Sequence, residues 1–180
     1  MNNANYLPSI NALKDIADDI RHIDASLIQE IAPKLVIGNC NVEIIPLILY
    51  KNTRGYLEKL VDQINRTYLY SCFDACALLI RKLIEILIIE IYENSGRILE
   101  ITFSGNSQLF GLEQLISKVE NDPHWKLNRS VITGLEKIKS QGDKAAHYRR
   151  YNSSQADLDA IKPYLRDISE ELLYISKINK

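Results

Sequence analysis

The segment from Phe73 to Tyr92, FDACALLIRKLIEILIIEIY, constrains the fold most, because it is the most apolar stretch of the chain. Its apolar side chains would lie on nearly all sides of a helix, which is typical of a helix buried at the centre of a bundle. It also contains more charged residues than a membrane span accepts: Asp74, Arg81, Lys82, Glu85 and Glu90. We therefore expect the long central helix of an all-α protein and no membrane partner.

Apolar residues recur at helical spacing on both sides of this segment. The pattern predicts further helices at Ile10–Ile23, Leu27–Ile31, Thr53–Tyr68, about Gln108–Glu120, Arg129–Lys139 and a long C-terminal helix over Leu158–Ile175. Residues 33–52 and 97–106 are expected to form loops or short extended runs. We expect one helical domain over residues 53–180, with residues 1–52 as an N-terminal helical extension packed on it.

Short polar patterns predict where these helices begin and end. Ser71 with Asp74, and Ser154 with Asp157, have the spacing of a capping box. Gly142 is expected to end the helix that starts near Arg129. Pro163 is expected to kink the C-terminal helix or split it into two, because proline removes a backbone hydrogen bond.

Composition limits the function classes. The 180 residues carry a net charge of −1, so any attraction to nucleic acid must come from a local patch. The three cysteines, Cys40, Cys72 and Cys76, follow no secretory leader, which favours a cytoplasmic protein without disulfides. Cys72 and Cys76 are interpreted as small core residues, since no further metal ligand stands at a usual spacing. We expect neither a metal nor another cofactor.

Residues 139–152, KSQGDKAAHYRRYN, are the strongest candidate for a site. Between Glu136 and Arg150 the local charge is +3, in a chain of net charge −1. Asp143 is expected to be the N-cap of a new short helix, on which His147 shares a face with Lys144 and Arg150. A basic face with one histidine suits a phosphate group. The alternative interpretation is a capped helix start with a solvated basic face.

A polar stripe on the predicted central helix is the second candidate. Asp74, Arg81 and Glu85 lie within about 40° of one another on a helix. Arg81 and Glu85 are four residues apart and can form an ion pair. Either this pair is purely structural, or the stripe lines a cleft that faces residues 139–152.

The stretch RGYLEKLVDQINRTYLYSCFDACALLIRKLIEILIIEIYE, followed later by GDKAAHYRR, resembles the HEPN-like bacterial domains of unknown function. The resemblance covers about residues 53–178. It implies an antiparallel helical bundle that forms a homodimer. Many HEPN proteins are metal-independent endoribonucleases of toxin–antitoxin, abortive-infection (phage defence) or restriction systems. Others have lost catalysis and serve as binding or dimerisation modules.

Compared with the HEPN nuclease motif, the chain has the histidine and lacks the arginine. His147 matches the motif histidine, whereas Ser140, Gln141 and Gly142 stand where the arginine is expected. The resemblance therefore implies His147 as a catalytic candidate, with Arg150 and Asp143 beside it. The ligand- or phosphate-binding candidates are Lys144, Arg149, Arg150, Arg81 and Glu85.

Three functions are expected from these residues and the resemblance. The first is a regulatory module of a bacterial defence or stress system that binds RNA, a nucleotide or a protein partner. The second is an endoribonuclease that uses His147. The third is a helical protein-interaction adaptor without a ligand.

Overall fold

A computed structural model describes residues 43–105 and 107–178 of the chain. This part of the chain is helical and contains no β-strand, which confirms the all-α prediction. Its five α-helices are α1 (Gly55–Leu69), α2 (Phe73–Asn94), α3 (Leu112–Glu120), α4 (Arg129–His147) and α5 (Gln155–Ser176). Over the described ranges, none of the helices has both the length and the apolarity needed to cross a membrane.

Short irregular segments join these helices. 3-10 turns form at Leu47–Tyr50 and Ile98–Ile101, and Thr102 pairs with Leu109 in an isolated antiparallel bridge. The segment before α1 packs into the core, where Ile45 and Tyr50 are fully buried. The helices predicted at Ile10–Ile23 and Leu27–Ile31, and Cys40, lie outside the described residues.

Helix α2 contacts the other four helices. It buries one broad apolar face, which includes Ile80, Leu83, Ile84, Leu87 and Ile88. Its opposite face is only partly covered, since Leu78 is 40% exposed and Leu79, Ile86 and Ile89 are half-buried. The central helix therefore keeps one partly covered stripe, in which these apolar side chains flank the exposed Lys82.

The two predicted capping boxes have opposite outcomes. At α5 the box is confirmed, because Asp157 N–H donates to Ser154 Oγ (3.3 Å) and Ser154 N–H donates to Asp157 Oδ2 (2.8 Å). At α2 it was wrong: Cys72 is the N-cap and makes no side-chain capping bond, and Ser71 has a left-handed backbone (φ 59°). The Asp74 carboxylate instead accepts a hydrogen bond from the backbone N–H of Ser153, at 2.7 Å.

Gly142 does not end a helix, contrary to the prediction. Helix α4 continues through it to His147, so Asp143 is an interior helical residue and not an N-cap. A β-carbon placed on Gly142 would lie 2.9 Å from Cβ of Arg81. The glycine is therefore explained by the close approach of α4 to α2, and the packing offsets its poor helix propensity.

Pro163 lies inside α5 without splitting it, so that part of the prediction was wrong. The lost hydrogen bond costs about 3 kcal/mol in a helix interior. Ile161 and Leu165, on either side of the exposed Pro163, are almost fully buried. Burying one such side chain contributes about 1.5–3 kcal/mol, so two of them hold the helix together across the proline.

Candidate functional site

The candidate site lies where α4 crosses α2. Arg81 Nη1 of α2 lies 3.3 Å from Asp143 Oδ1 of α4. Lys139 Nζ, one turn earlier on α4, lies 3.4 Å from the other carboxylate oxygen of Asp143. The expected Arg81–Glu85 ion pair does not form. Glu85 is half-buried and has no ion-pair partner within the described ranges.

The aliphatic part of the Arg81 side chain packs closely against Gly142. Cβ, Cγ and Cδ of Arg81 occupy the space that a side chain at position 142 would fill. The Arg81 side chain is 26% exposed, and its Nε is buried without a hydrogen-bond partner. The guanidinium group therefore has N–H donors that Asp143 does not use.

Four basic side chains lie at the C-terminal end of α4, and we call this group the basic tip: Lys144, His147, Arg149 and Arg150. His147 is the last residue of α4, and the two arginines follow in the next turn. His147, Arg149 and Arg150 are exposed, and none of the four has an ion-pair partner among the described residues. Elsewhere in the described chain, every arginine except Arg129 is in an ion pair.

The turn that carries Arg149 and Arg150 is held at its far end by a set of hydrogen bonds that we call the clamp. Gln141 Nε2 donates to the Tyr151 hydroxyl (2.7 Å) and to Ser153 Oγ (3.3 Å). Ser153 N–H donates to Asp74 at the start of α2. The roles of Gln141, Tyr151 and Ser153 were not predicted from the sequence, because their bonds join residues ten or more positions apart.

A cleft of about 410 Å³ between α3 and α4 borders Asp143 and Lys144. It is mainly acidic, since Glu113, Glu120 and Glu136 also line it. Burial, and then the charge of Glu136, raises the pKa of Glu120. Because carboxylates repel phosphate, the inside of this cleft is unfavourable for an anion.

A second polar cluster, which the sequence analysis missed, surrounds Asp122 near the C-terminal end of α2. The Asp122 side chain is only 1% exposed and accepts hydrogen bonds from Arg97 Nη2 (2.7 Å) and the Tyr92 hydroxyl (2.9 Å). His124 donates its backbone N–H to the same carboxylate, at 3.0 Å. The guanidinium carbon of Arg97 lies 5.2 Å from the ring centre of Trp125.

The Asp122 cluster is a structural ion pair. Burial raises the pKa of Asp122, but hydrogen bonds from Arg97 and His124 outweigh burial and hold it well below its usual range. Hydrogen bonds from Arg97 and Lys118 lower the pKa of Glu100 to about 2. Arg97 gives four of its five N–H donors to Glu100 and Asp122, so little of the guanidinium group is left for a ligand.

Cys76, inside α2, and Cys72, the N-cap of α2, have different environments. Cys76 is buried, as expected for a core residue, whereas Cys72 is exposed, so the core interpretation was wrong there. Within the part of the chain that the structure describes, no three His, Cys, Asp or Glu side chains are grouped as metal ligands.

We compared the chain with protein-family models, with curated proteins and with solved structures, and none of them matches it.

Proposed function

We propose that the protein is a HEPN-like helical domain that binds a phosphate-containing ligand, RNA by preference, at the basic tip. The observation that carries this proposal is the pair of exposed, adjacent arginines without ion pairs, next to Lys144 and His147. Guanidinium groups bind phosphate oxygens in pairs, with charge-assisted hydrogen bonds. The C-terminus of a helix carries about half a negative charge, which the cations of the tip outweigh.

The HEPN part of the proposal is supported by the contact between its two sequence signatures. Arg81 of the DACALLIRKLIE helix meets Gly142 and Asp143 of the GDKAAH segment. We propose an antiparallel bundle, acting in the cytoplasm as a regulatory module of a bacterial defence or stress system. We also propose that the module binds a protein partner within that system.

RNA binding is expected to depend on the basic tip and on salt. The double variant Lys144→Ala, Arg150→Ala should bind a short fluorescent single-stranded RNA at least tenfold more weakly, measured by fluorescence anisotropy. Wild-type affinity should fall as salt rises, because each phosphate contact releases counterions. Stability should change by less than about 1 kcal/mol, since Arg150 is exposed, Lys144 is half-buried and neither is in an ion pair within the described residues.

The control is Lys59→Ala, Arg66→Ala, which removes the same charge from exposed positions on α1. It should bind RNA almost as the wild type does. Equal losses in the two double variants would mean that binding is non-specific. Absence of wild-type binding to RNA and to nucleotides would leave the adaptor function in first place.

A metal-independent endoribonuclease is the second candidate function. The observation that favours it is the exposure of His147 beside Arg149 and Arg150, where a histidine can transfer a proton while arginines bind the phosphate. If this function holds, wild-type protein should cut RNA in EDTA and His147→Ala should not. RNA that stays intact with wild-type protein would exclude this activity and leave the binding function in place.

We also propose a homodimer that forms through the partly covered apolar stripe of α2. Leu78 and its half-buried neighbours Leu79, Ile86 and Ile89 support this face, since large apolar patches often mark interfaces. Light scattering at high micromolar concentration should give the mass of two chains. Leu78→Glu should shift the protein toward monomer, whereas Leu99→Glu, at an 82% exposed position away from this stripe, should not. A wild-type protein that stays monomeric would contradict the proposal.

A further inference from the structure

The guanidinium group of Arg81 is only partly used within the described structure. An arginine has five N–H donors. The Arg81 group has one ion-pair contact, from Nη1 to Asp143, and its Nε has no partner. The aliphatic part of this side chain packs against Gly142, and the charged end lies next to Asp143 at the edge of the helix contact.

The ion pair between Arg81 and Asp143 is loose. Its 3.3 Å separation exceeds the 2.7–2.9 Å that is usual for charge-assisted N–H···O bonds. Asp143 is shared with Lys139, at 3.4 Å, and all three side chains are between 26% and 30% exposed. Water therefore reaches the cluster, and another anion can compete with the carboxylate.

The position of Asp143 places it next to the basic tip. One side of α4 carries Lys139, Asp143 and His147, because they follow one another at intervals of four residues. Four residues of a helix rise about 6 Å, so Asp143 is about one turn below His147. A phosphate held by the tip on this side of α4 thus comes close to both Asp143 and Arg81.

We propose that Arg81 is an additional phosphate-binding residue of this site and that Asp143 competes with the phosphate for it. In the free protein the Asp143 carboxylate forms an ion pair with the Arg81 guanidinium group. When the ligand binds, its phosphate takes over the guanidinium group and Asp143 remains paired with Lys139. Asp143 then lowers the affinity of the site and disfavours weakly held anions. This inference rests on the proposed RNA-binding function.

The substitution Asp143→Asn tests this competition with the same fluorescent RNA and full-length protein. We expect about fivefold tighter binding, which corresponds to about 1 kcal/mol for one charge removed 4 Å away in water. The gain should shrink by at least half in an Arg81→Met background, because methionine keeps the aliphatic packing on Gly142 but has no charge. Asp62→Asn removes the same charge from an exposed ion pair on α1 and should change binding little.

Each outcome decides the inference. The inference is supported if Asp143→Asn increases RNA affinity only when Arg81 is present, and Asp62→Asn does not increase it. The inference is overturned if the wild type binds RNA and Asp143→Asn binds it no more tightly. It is also overturned if Asp143→Asn increases RNA affinity equally in the Arg81→Met background. Both outcomes leave the proposed function standing. Absence of RNA binding by both the wild type and Asp143→Asn overturns the proposed function as well. Should Asp143→Asn fail to fold, as judged by thermal unfolding, Asp143→Ser answers the same question.

Discussion

Replacing Asp122 with alanine is expected to lower the free energy of unfolding by about 3–5 kcal/mol, the cost of removing one partner of a buried ion pair. The carboxylate is 1% exposed and binds Arg97, Tyr92 and His124 at once. Without it, Arg97 would remain between two aromatic rings and Tyr92 would lose its hydroxyl partner. Urea-induced unfolding followed by circular dichroism measures the loss.

The same cluster makes stability depend on pH in a defined direction. The pKa of Asp122 is lower in the folded protein than in the unfolded chain, where it is about 3.9. Its contribution is therefore complete above about pH 5 and is lost as pH falls through 3.9 toward the folded pKa. The lowered pKa of Glu100 acts in the same direction. Wild-type protein should lose stability over this range more steeply than Asp122→Ala.

The matched control is Asp62→Ala, which also removes an aspartate that pairs with an arginine, at 2.9 Å. This pair is on the surface, so its loss should cost less than about 1 kcal/mol. Similar losses in the two variants would show that the Asp122 cluster does not stabilise the fold as a buried pair does.

Valine at Gly142 or at Gly134 is expected to destabilise the domain by about 3 kcal/mol, near the upper end of the range for overpacked cores. A β-carbon at Gly134 would lie 2.7 Å from Cβ of Tyr164, and one at Gly142 would lie 2.9 Å from Cβ of Arg81. Both of these atoms are attached directly to the backbone, so the helices must separate. At Gly142 the separation would also break the Arg81–Asp143 pair, and denaturant unfolding measures the cost.

Gly55→Val is the control for both glycine variants, because no atom lies within 4 Å of a β-carbon there. Valine has a better helix propensity than glycine, so this variant should be as stable as the wild type or slightly more stable. Equal stability of all three variants would refute the explanation that α4 approaches its neighbours closely at these two glycines.

The sequence predicts those features that depend on neighbouring residues. Apolar spacing identified α1, α2 and α5, because an amphipathic face is a local property of a helix. The Ser154–Asp157 box was also predictable, since both partners belong to one helix turn. Between Gln108 and Glu120 the type of element was right, although α3 begins only at Leu112.

The errors come from contacts between distant parts of the chain. Gly142 has the local properties of a helix terminator, and only the position of Arg81 on another helix explains it. Asp74 has the spacing of a cap, yet its acceptor atoms are used by Ser153, 79 residues away. The hydrogen bond from His124 N–H to Asp122 belongs to a local turn and was predictable from the sequence. The pairing of Asp122 with Arg97, 25 residues away, was not.

If an anion binds at the tip as we propose, the clamp reduces the conformational entropy that is lost on binding. The backbone around Arg149 and Arg150 is fixed on one side by the end of α4 and on the other by Tyr151 and Ser153. Only the two arginine side chains are left to order, at about 0.5–1.5 kcal/mol each. A freely moving turn would add about 1–2 kcal/mol for each backbone residue that becomes fixed. Most of the entropy cost of ordering this proposed binding surface is thus met during folding, before any ligand arrives.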